Sequence, residues 1–95
     1  MTASGRFIWD ERKRAGNYAK HGVDFAIAER FEFDTALVLI DDRKDYGEPR
    51  YRAFGVLDGR LHVLVFTARG GRIRVISLRR ANHRERRNYA ETQQR

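Results

Sequence analysis

The chain has 95 residues, no cysteine and a formal net charge of +7. That length makes one domain, residues 1–95, with one modest core, and 41% hydrophobic content with six Phe and four Tyr is too rich for a disordered tail. The absent cysteine excludes a disulfide framework, a thiolate zinc site and a thiol nucleophile, and no apolar run approaches a membrane span or a signal-peptide core, so a cytoplasmic protein is expected.

Phe7-Ile8-Trp9 reads as a short edge strand, and Asp10 as the N-cap of a helix over Glu11 to His21. Gly22 suits the position past that helix, with Lys20 and His21 near the negative end of its dipole. Asp24 caps a second expected helix, in which Phe25, Ile27, Ala28 and Phe31 form a buried stripe. The first third thus reads as a helical hairpin that needs a sheet to pack on. Ala36 to Ile40 is the first strand of that sheet, and Asp45 to Pro49 is a loop by its turn residues. Arg50 to Leu57, Leu61 to Ala68 and Ile73 to Leu78 follow, joined by the tight turns Asp58-Gly59 and Gly70-Gly71, and should form an antiparallel meander. Asn82 caps a final helix reaching about Gln93, and Glu85 completes a capping box. That helix is nearly all polar, with only Tyr89 and Ala90 suited to a core. The expected class is α+β: an N-terminal helical hairpin on a twisted antiparallel sheet of about four strands, plus a C-terminal helix.

Charge is distributed unevenly. Residues 1–48 carry eight Lys/Arg and ten Asp/Glu, whereas residues 49–95 carry twelve Arg and three acids. Of the twenty basic residues only three are Lys. A guanidinium fork pairs with phosphate oxygens and stacks on bases, so the bias points to RNA or DNA, with an acidic protein partner as the other use of such a face. Alternation puts Val63, Val65, Thr67 and Arg69 on one side of a strand, and Ile73, Val75, Ser77 and Arg79 on one side of the next. Arg69 and Arg79 both lie where an apolar alternation ends, placed either to snorkel at the rim or to gather round an anion.

No histidine or carboxylate cluster has metal-ligand spacing, and no glycine-rich phosphate loop precedes a helix, so neither a metal nor another cofactor is expected. One chemistry needs neither. RNA carries its own nucleophile, the 2′-OH, beside each phosphate. Arginine can stabilise the phosphorane but cannot take the proton, so a base must come from elsewhere. The candidates are His62, Glu48, His21, Glu85 and Tyr89. Each has a structural alternative, such as the capping box for Glu85 and a core anchor for Tyr89.

Residues 7–25 resemble the opening of BrnT toxins, a W-D-x-x-K-x-x-x-N-x-x-K-H-G-V pattern met by Trp9, Asp10, Lys13, Asn17, Lys20, His21, Gly22 and Val23. Asp42 to Arg50 resembles the family's D-x-x-Y-G-E-x-R segment, and Arg74 to Ala81 with Glu85 and Tyr89 resembles its R-x-I-S-x-R-x-A-x-x-x-E-x-x-x-Y segment. Thr35 stands where the family pattern has proline in a turn. The resemblance implies a RelE-like fold and a ribonuclease toxin of a type II toxin–antitoxin system that inhibits translation. It also implies a cognate BrnA-like antitoxin, through which operator DNA is mainly bound. The family pattern brings forward His21, Glu48, Arg50, Arg69, Arg79, Glu85 and Tyr89 without saying which perform catalysis. Taken with the charge and strand reading, the expected catalytic residues are Arg69, Arg79, Glu85, His62, Glu48 and Tyr89, and the expected RNA-binding residues are Arg50, Arg72, Arg74, Arg80, His21 and Lys20. The alternative function is a non-catalytic basic nucleic-acid-binding module.

Overall fold

The computed structural model describes residues 1–94. It is an α+β structure built on one six-stranded sheet. The strands are β1 (Thr2–Ser4), β2 (Phe7–Trp9), β3 (Leu37–Ile40), β4 (Tyr51–Leu57), β5 (Arg60–Arg69) and β6 (Arg72–Arg80), in the spatial order β1-β2-β6-β5-β4-β3. The helices are α1 (Glu11–His21), a short 3₁₀ segment (Phe25–Arg30) and α2 (His83–Gln93). No helix among the described residues is long and apolar enough to cross a membrane.

The expected meander of β4, β5 and β6 is present, and β3 adds to it antiparallel along β4. Two expectations need correction. The sheet has six strands and is mixed, because β2 pairs parallel with β6 through Phe7↔Ile73 and Ile8↔Arg74. That pairing joins opposite ends of the chain, so no local pattern announces it. β1 is a three-residue Thr-Ala-Ser strand with no apolar stripe to mark it.

The second arm of the expected hairpin is not an α-helix. Phe25, Ala28 and Phe31 are all buried, and they recur every third residue. A 3₁₀ helix has three residues per turn, so it stacks all three on one face where an α-helix would rotate them apart. The i→i+3 bonds Ile27 N–H to Asp24 O (3.2 Å) and Phe31 N–H to Ala28 O (3.0 Å) show that geometry.

The two helical caps form as expected. Asp10 accepts from the Arg12 and Lys13 amides, and Asn82 and Glu85 close a reciprocal capping box on α2. Gly22 ends α1 at φ 70°, a left-handed conformation that costs glycine little.

The main core lies between the sheet and the N-terminal helical elements. Phe7, Trp9, Phe25, Phe31, Leu57, Leu64 and Leu78 are its largest members. A smaller cluster on the opposite face joins Val63, Val65 and Ala81 with Phe54, Leu61 and Ile76. A bulge in β6 decides which residues go where. Val65 pairs with Ser77, but its neighbour Phe66 pairs with Val75, so Ile76 is left without a partner. Strict alternation would have put Val75 and Arg79 on one side. The extra residue instead sends Val75 and Leu78 into the main core and turns Arg79 to the other face.

Asn17 ties α1 to the sheet. Its Nδ2 donates to Leu78 O (2.7 Å) and Val23 O (3.1 Å), and its Oδ1 accepts from Leu78 N (3.2 Å). β2 covers β6 only at Ile73 and Arg74, so Leu78 has no strand on that side. The Asn17 amide takes that place. Asn17→Ala is expected to lower stability by about 2–4 kcal/mol in urea denaturation, because it strands buried backbone groups at about 1–3 kcal/mol each.

Two glycines should respond oppositely to alanine. A Cβ on Gly55 would sit 2.6 Å from Phe31 Cζ, whereas one on Gly16, inside α1, meets nothing within 4 Å. Gly55→Ala is expected to cost about 1–3 kcal/mol by overpacking. Gly16→Ala should add about 0.5–1 kcal/mol by helix propensity. Thermal melts of the two variants check both signs.

Candidate active site

The face turned outward by the β6 bulge carries a groove of about 250 Å³. Its floor is apolar, made by Val63, Val65 and Ile76. Its walls come from four separate parts of the chain. β4 and the residue before it supply Arg52 and Arg50, β6 supplies Ser77 and Arg79, and the C-terminal end of α1 supplies Lys20 and His21. The loop after β3 supplies Asp41, Arg43 and Tyr46.

Arg79 is held from behind. Its two terminal nitrogens each donate to one oxygen of Glu85, both at 2.8 Å. Glu85 Oε1 also accepts from the Asn82 amide at 2.9 Å. The Arg79 bonds hold the Glu85 carboxyl below its ordinary range, against the opposing effect of partial burial. Glu85 is therefore an ionised acceptor that is already occupied. Its geometry suits fixing the Arg79 guanidinium better than collecting a proton.

On the other wall the Arg50 guanidinium lies 4.1 Å from the Tyr46 ring centroid. The Nε atoms of Arg50 and Arg52 are buried without a hydrogen-bond partner. Neither these two arginines nor Lys20 makes an ion pair among the described residues. Asp41 is the groove's buried carboxylate, and Arg43 takes both its oxygens at 2.7 and 2.8 Å. Those bonds pull its pKa down to about 2. The Tyr46 hydroxyl lies 3.4 Å from the same carboxylate. The groove is thus strongly cationic, and its one internal acid is spent on ordering its loop.

His21 is the titratable group beside these cations. Burial, then the charges of Lys20 and Arg79, push its pKa below the ordinary value of 6.5. Its imidazole is consequently neutral at pH 7, and so able to accept a proton.

The other candidates lie elsewhere. His62 is on the main-core side of β5, buried, with Nδ1–H donating to Arg60 O at 2.8 Å. It does not meet Arg79, because adjacent positions on a strand face opposite ways: His62 precedes Val63, which lines the groove floor. Glu48 pairs with Arg69 at 3.1 Å, and neither lines the groove. The Tyr89 hydroxyl donates to Thr35 O at 2.7 Å, docking α2 on the turn before β3. Tyr89 and Glu85 line a neighbouring depression, which shares Arg52 with the groove. Of the RNA-binding candidates, Arg50, His21 and Lys20 line the groove. Arg72 is exposed at the β5–β6 turn, Arg74 lies toward the β2 end of β6, and Arg80 lies on the opposite side of the sheet end.

Sequence reasoning missed Arg52, Arg43, Asp41, Tyr46 and Ser77. Arg52 was findable, since it stands two residues from Arg50 along a strand and must share its face. The Asp41–Arg43–Tyr46 cluster was not, because its geometry belongs to an irregular loop. Among the described residues, no three His, Cys, Asp or Glu side chains are grouped to hold a metal ion.

The Asp41–Arg43 pair has a consequence for acid stability. A carboxyl whose folded pKa is lowered contributes stability that is present above its unfolded value and is lost as pH falls through the folded value. Asp24, held by Arg14, is likewise lowered to about 2. Stability is therefore expected to fall as pH drops from about 4 to about 2. Asp41→Asn should melt lower than the parent at pH 7 and show a shallower loss across that window, as followed by denaturant titration at each pH.

The family model described as the ribonuclease toxin BrnT of type II toxin–antitoxin systems matches residues 9–85. A comparison with curated proteins gave no match. The matched span starts at Trp9 and ends at Glu85, so it takes in every groove-lining residue and the carboxylate that holds Arg79. The chain accordingly belongs to the BrnT family of ribonuclease toxins of type II toxin–antitoxin systems.

Proposed function

We propose that this toxin cleaves RNA in the groove by in-line attack of a 2′-OH on the adjacent phosphate, without a metal. The observation that carries the reading is one juxtaposition: a neutral His21 lines the same groove as Arg79, Arg52 and Arg50. His21 takes the 2′-OH proton. Arg79 and Arg52 stabilise the charge that builds on the phosphorane oxygens. Lys20 stands beside His21 as the donor to the departing 5′-oxygen. The 2′-O–P bond forms and the P–O5′ bond breaks, leaving a 2′,3′-cyclic phosphate and a 5′-hydroxyl. Glu85 acts through Arg79, which it orients. Glu48 and Arg69 order the start of β4, and Tyr89 anchors α2. His62 packs against the main core. The arginine lining supports metal independence, because guanidinium groups occupy the places where a cation would meet phosphate.

The element order, with α1 and the 3₁₀ segment on one face of the sheet and a polar α2 at the end, is consistent with a RelE-like fold. We place the toxin in the cytoplasm, where it stops translation and is neutralised by a BrnA-like antitoxin that itself contacts operator DNA. An acidic, partly apolar antitoxin segment fits the basic groove rim, α2 and β3. α2 buries none of its residues, and Val38, Leu39 and Ile40 are exposed on β3. Contacts of that kind block RNA with the same arginines that bind it.

The test is RNA cleavage by the purified chain with EDTA present. Cleavage should persist and yield 2′,3′-cyclic phosphate ends. The rate should rise with pH through a value below 6.5 and then level off, because the base must be unprotonated. His21→Gln should cost on the order of 10²–10⁴ in rate and abolish that limb. Arg52→Ala should cost on the order of 10² with the limb intact. Activity lost to EDTA and restored by magnesium overturns the mechanism, and RNA binding without cleavage leaves the non-catalytic module.

A further inference from the structure

β6 ends in two adjacent arginines that serve different surfaces. Arg79 lines the groove, while Arg80 lines two depressions at the strand end, one beside α2 and one on the main-core side. The larger, about 540 Å³, brings Arg60, Arg80 and Arg86 together beside the tip of the β4–β5 hairpin. The second, about 410 Å³, shares Arg60 and Arg80 and runs toward Tyr18 of α1. Two carboxylates border it, Asp24 and Asp58, and both are taken. Arg14 holds Asp24 at 2.8 and 2.9 Å, and Arg30 holds Asp58 at 2.7 Å through both nitrogens. Among the described residues, Arg60, Arg80 and Arg86 make no ion pair. Arg86 spends one nitrogen on Ala81 O at 2.9 Å, which fixes its stem and leaves the rest of the fork available. Tyr18 is 58% exposed, an unusual position for an aromatic ring.

We infer that Arg60, Arg80 and Arg86, with Tyr18, form a second site that grips single-stranded RNA beyond the scissile phosphate. The reading rests on the ribonuclease function proposed above and deepens it by naming the form of the substrate. Unpaired guanidinium forks suit successive phosphates. An exposed aromatic ring beside them suits an unstacked base, which a duplex does not offer. The adjacency of Arg79 and Arg80 makes the path continuous. A strand leaving the groove at Arg79 passes the end of β6 and meets Arg80 on the far side. Substrate length, and not only the bases at the cleavage point, then contributes to affinity.

The experiment uses the full chain and non-cleavable 2′-O-methyl RNA in two lengths, a trimer that fills the groove alone and a longer single strand. The longer strand should bind more tightly, with a steeper salt dependence. Arg60→Gln combined with Arg80→Gln should lower the salt slope for the long strand by about 1.4, at about 0.7 per phosphate contact, and leave trimer binding as it was. Tyr18→Ala should weaken the long strand about tenfold and a hairpin duplex far less. Amide exchange on the unaltered protein gives an independent reading, with protection by the long strand expected over residues 59–62 and 80–86. Equal affinity for both lengths, or an unchanged slope together with no protection there, overturns the second site while cleavage in the groove stands. A protein that binds neither RNA overturns both readings. Variants that keep full RNA affinity but lose the antitoxin reassign the patch to a protein contact.

Discussion

The Asn17 amide does for β6 what a neighbouring strand would do. It offers Leu78 both a donor and an acceptor on an edge that β2 leaves uncovered, and its third bond reaches Val23 just past the end of α1. A buried backbone pair without partners is costly, so the helix can sit in only one place relative to the strand. The make-up of the groove depends on that place. α1 ends at His21 and Gly22, and the position of its last turn decides whether Lys20 and His21 reach the groove. A helix joined to the sheet by apolar contacts alone could slide, because hydrophobic packing is not directional. The amide removes that freedom within a few residues of the groove-lining end of α1.

The bulge in β6 works with the same economy. Val75 and Leu78 both enter the main core, and Arg79 is turned to the groove. An unbulged strand could not do all three, since side chains alternate strictly. Bulges commonly re-aim a side chain near a site, and in β6 the re-aimed group is the arginine that Glu85 locks in position.

The acids of this basic protein are not spread evenly against its arginines. Glu85 fixes Arg79, Asp41 fixes Arg43, Glu48 fixes Arg69, Asp24 fixes Arg14 and Asp58 fixes Arg30. Each pair holds one geometry, which suits positioning more than stability, as exposed pairs are worth little in folding. Among the cations left without an ion pair in the described residues are Arg50, Arg52 and Lys20 in the groove, and Arg60, Arg80 and Arg86 around the strand end.

By itself the sequence determined what is local or compositional. The α1 and α2 caps, the two tight hairpin turns and the meander of β4 to β6 follow from short-range rules of spacing, turn chemistry and hydrogen-bond supply, and they are all present. The arginine excess and the resemblance of the three motif segments to BrnT also needed no coordinates. Tertiary structure alone decided the parallel β2–β6 pairing, the 3₁₀ form of residues 25–30 and the facing of β6. It also decided which candidates meet. His62 and Arg79 are equally available by alternation, yet they face opposite sides of the sheet, while His21 and Arg79 are 58 residues apart and line one groove. The reason is physical. Alternation and helical period report which side chains share a face of one element, whereas a site is made where faces of different elements converge. That convergence is set by a bulge of one residue and an amide bonded across 61 positions, neither of which leaves a periodic trace.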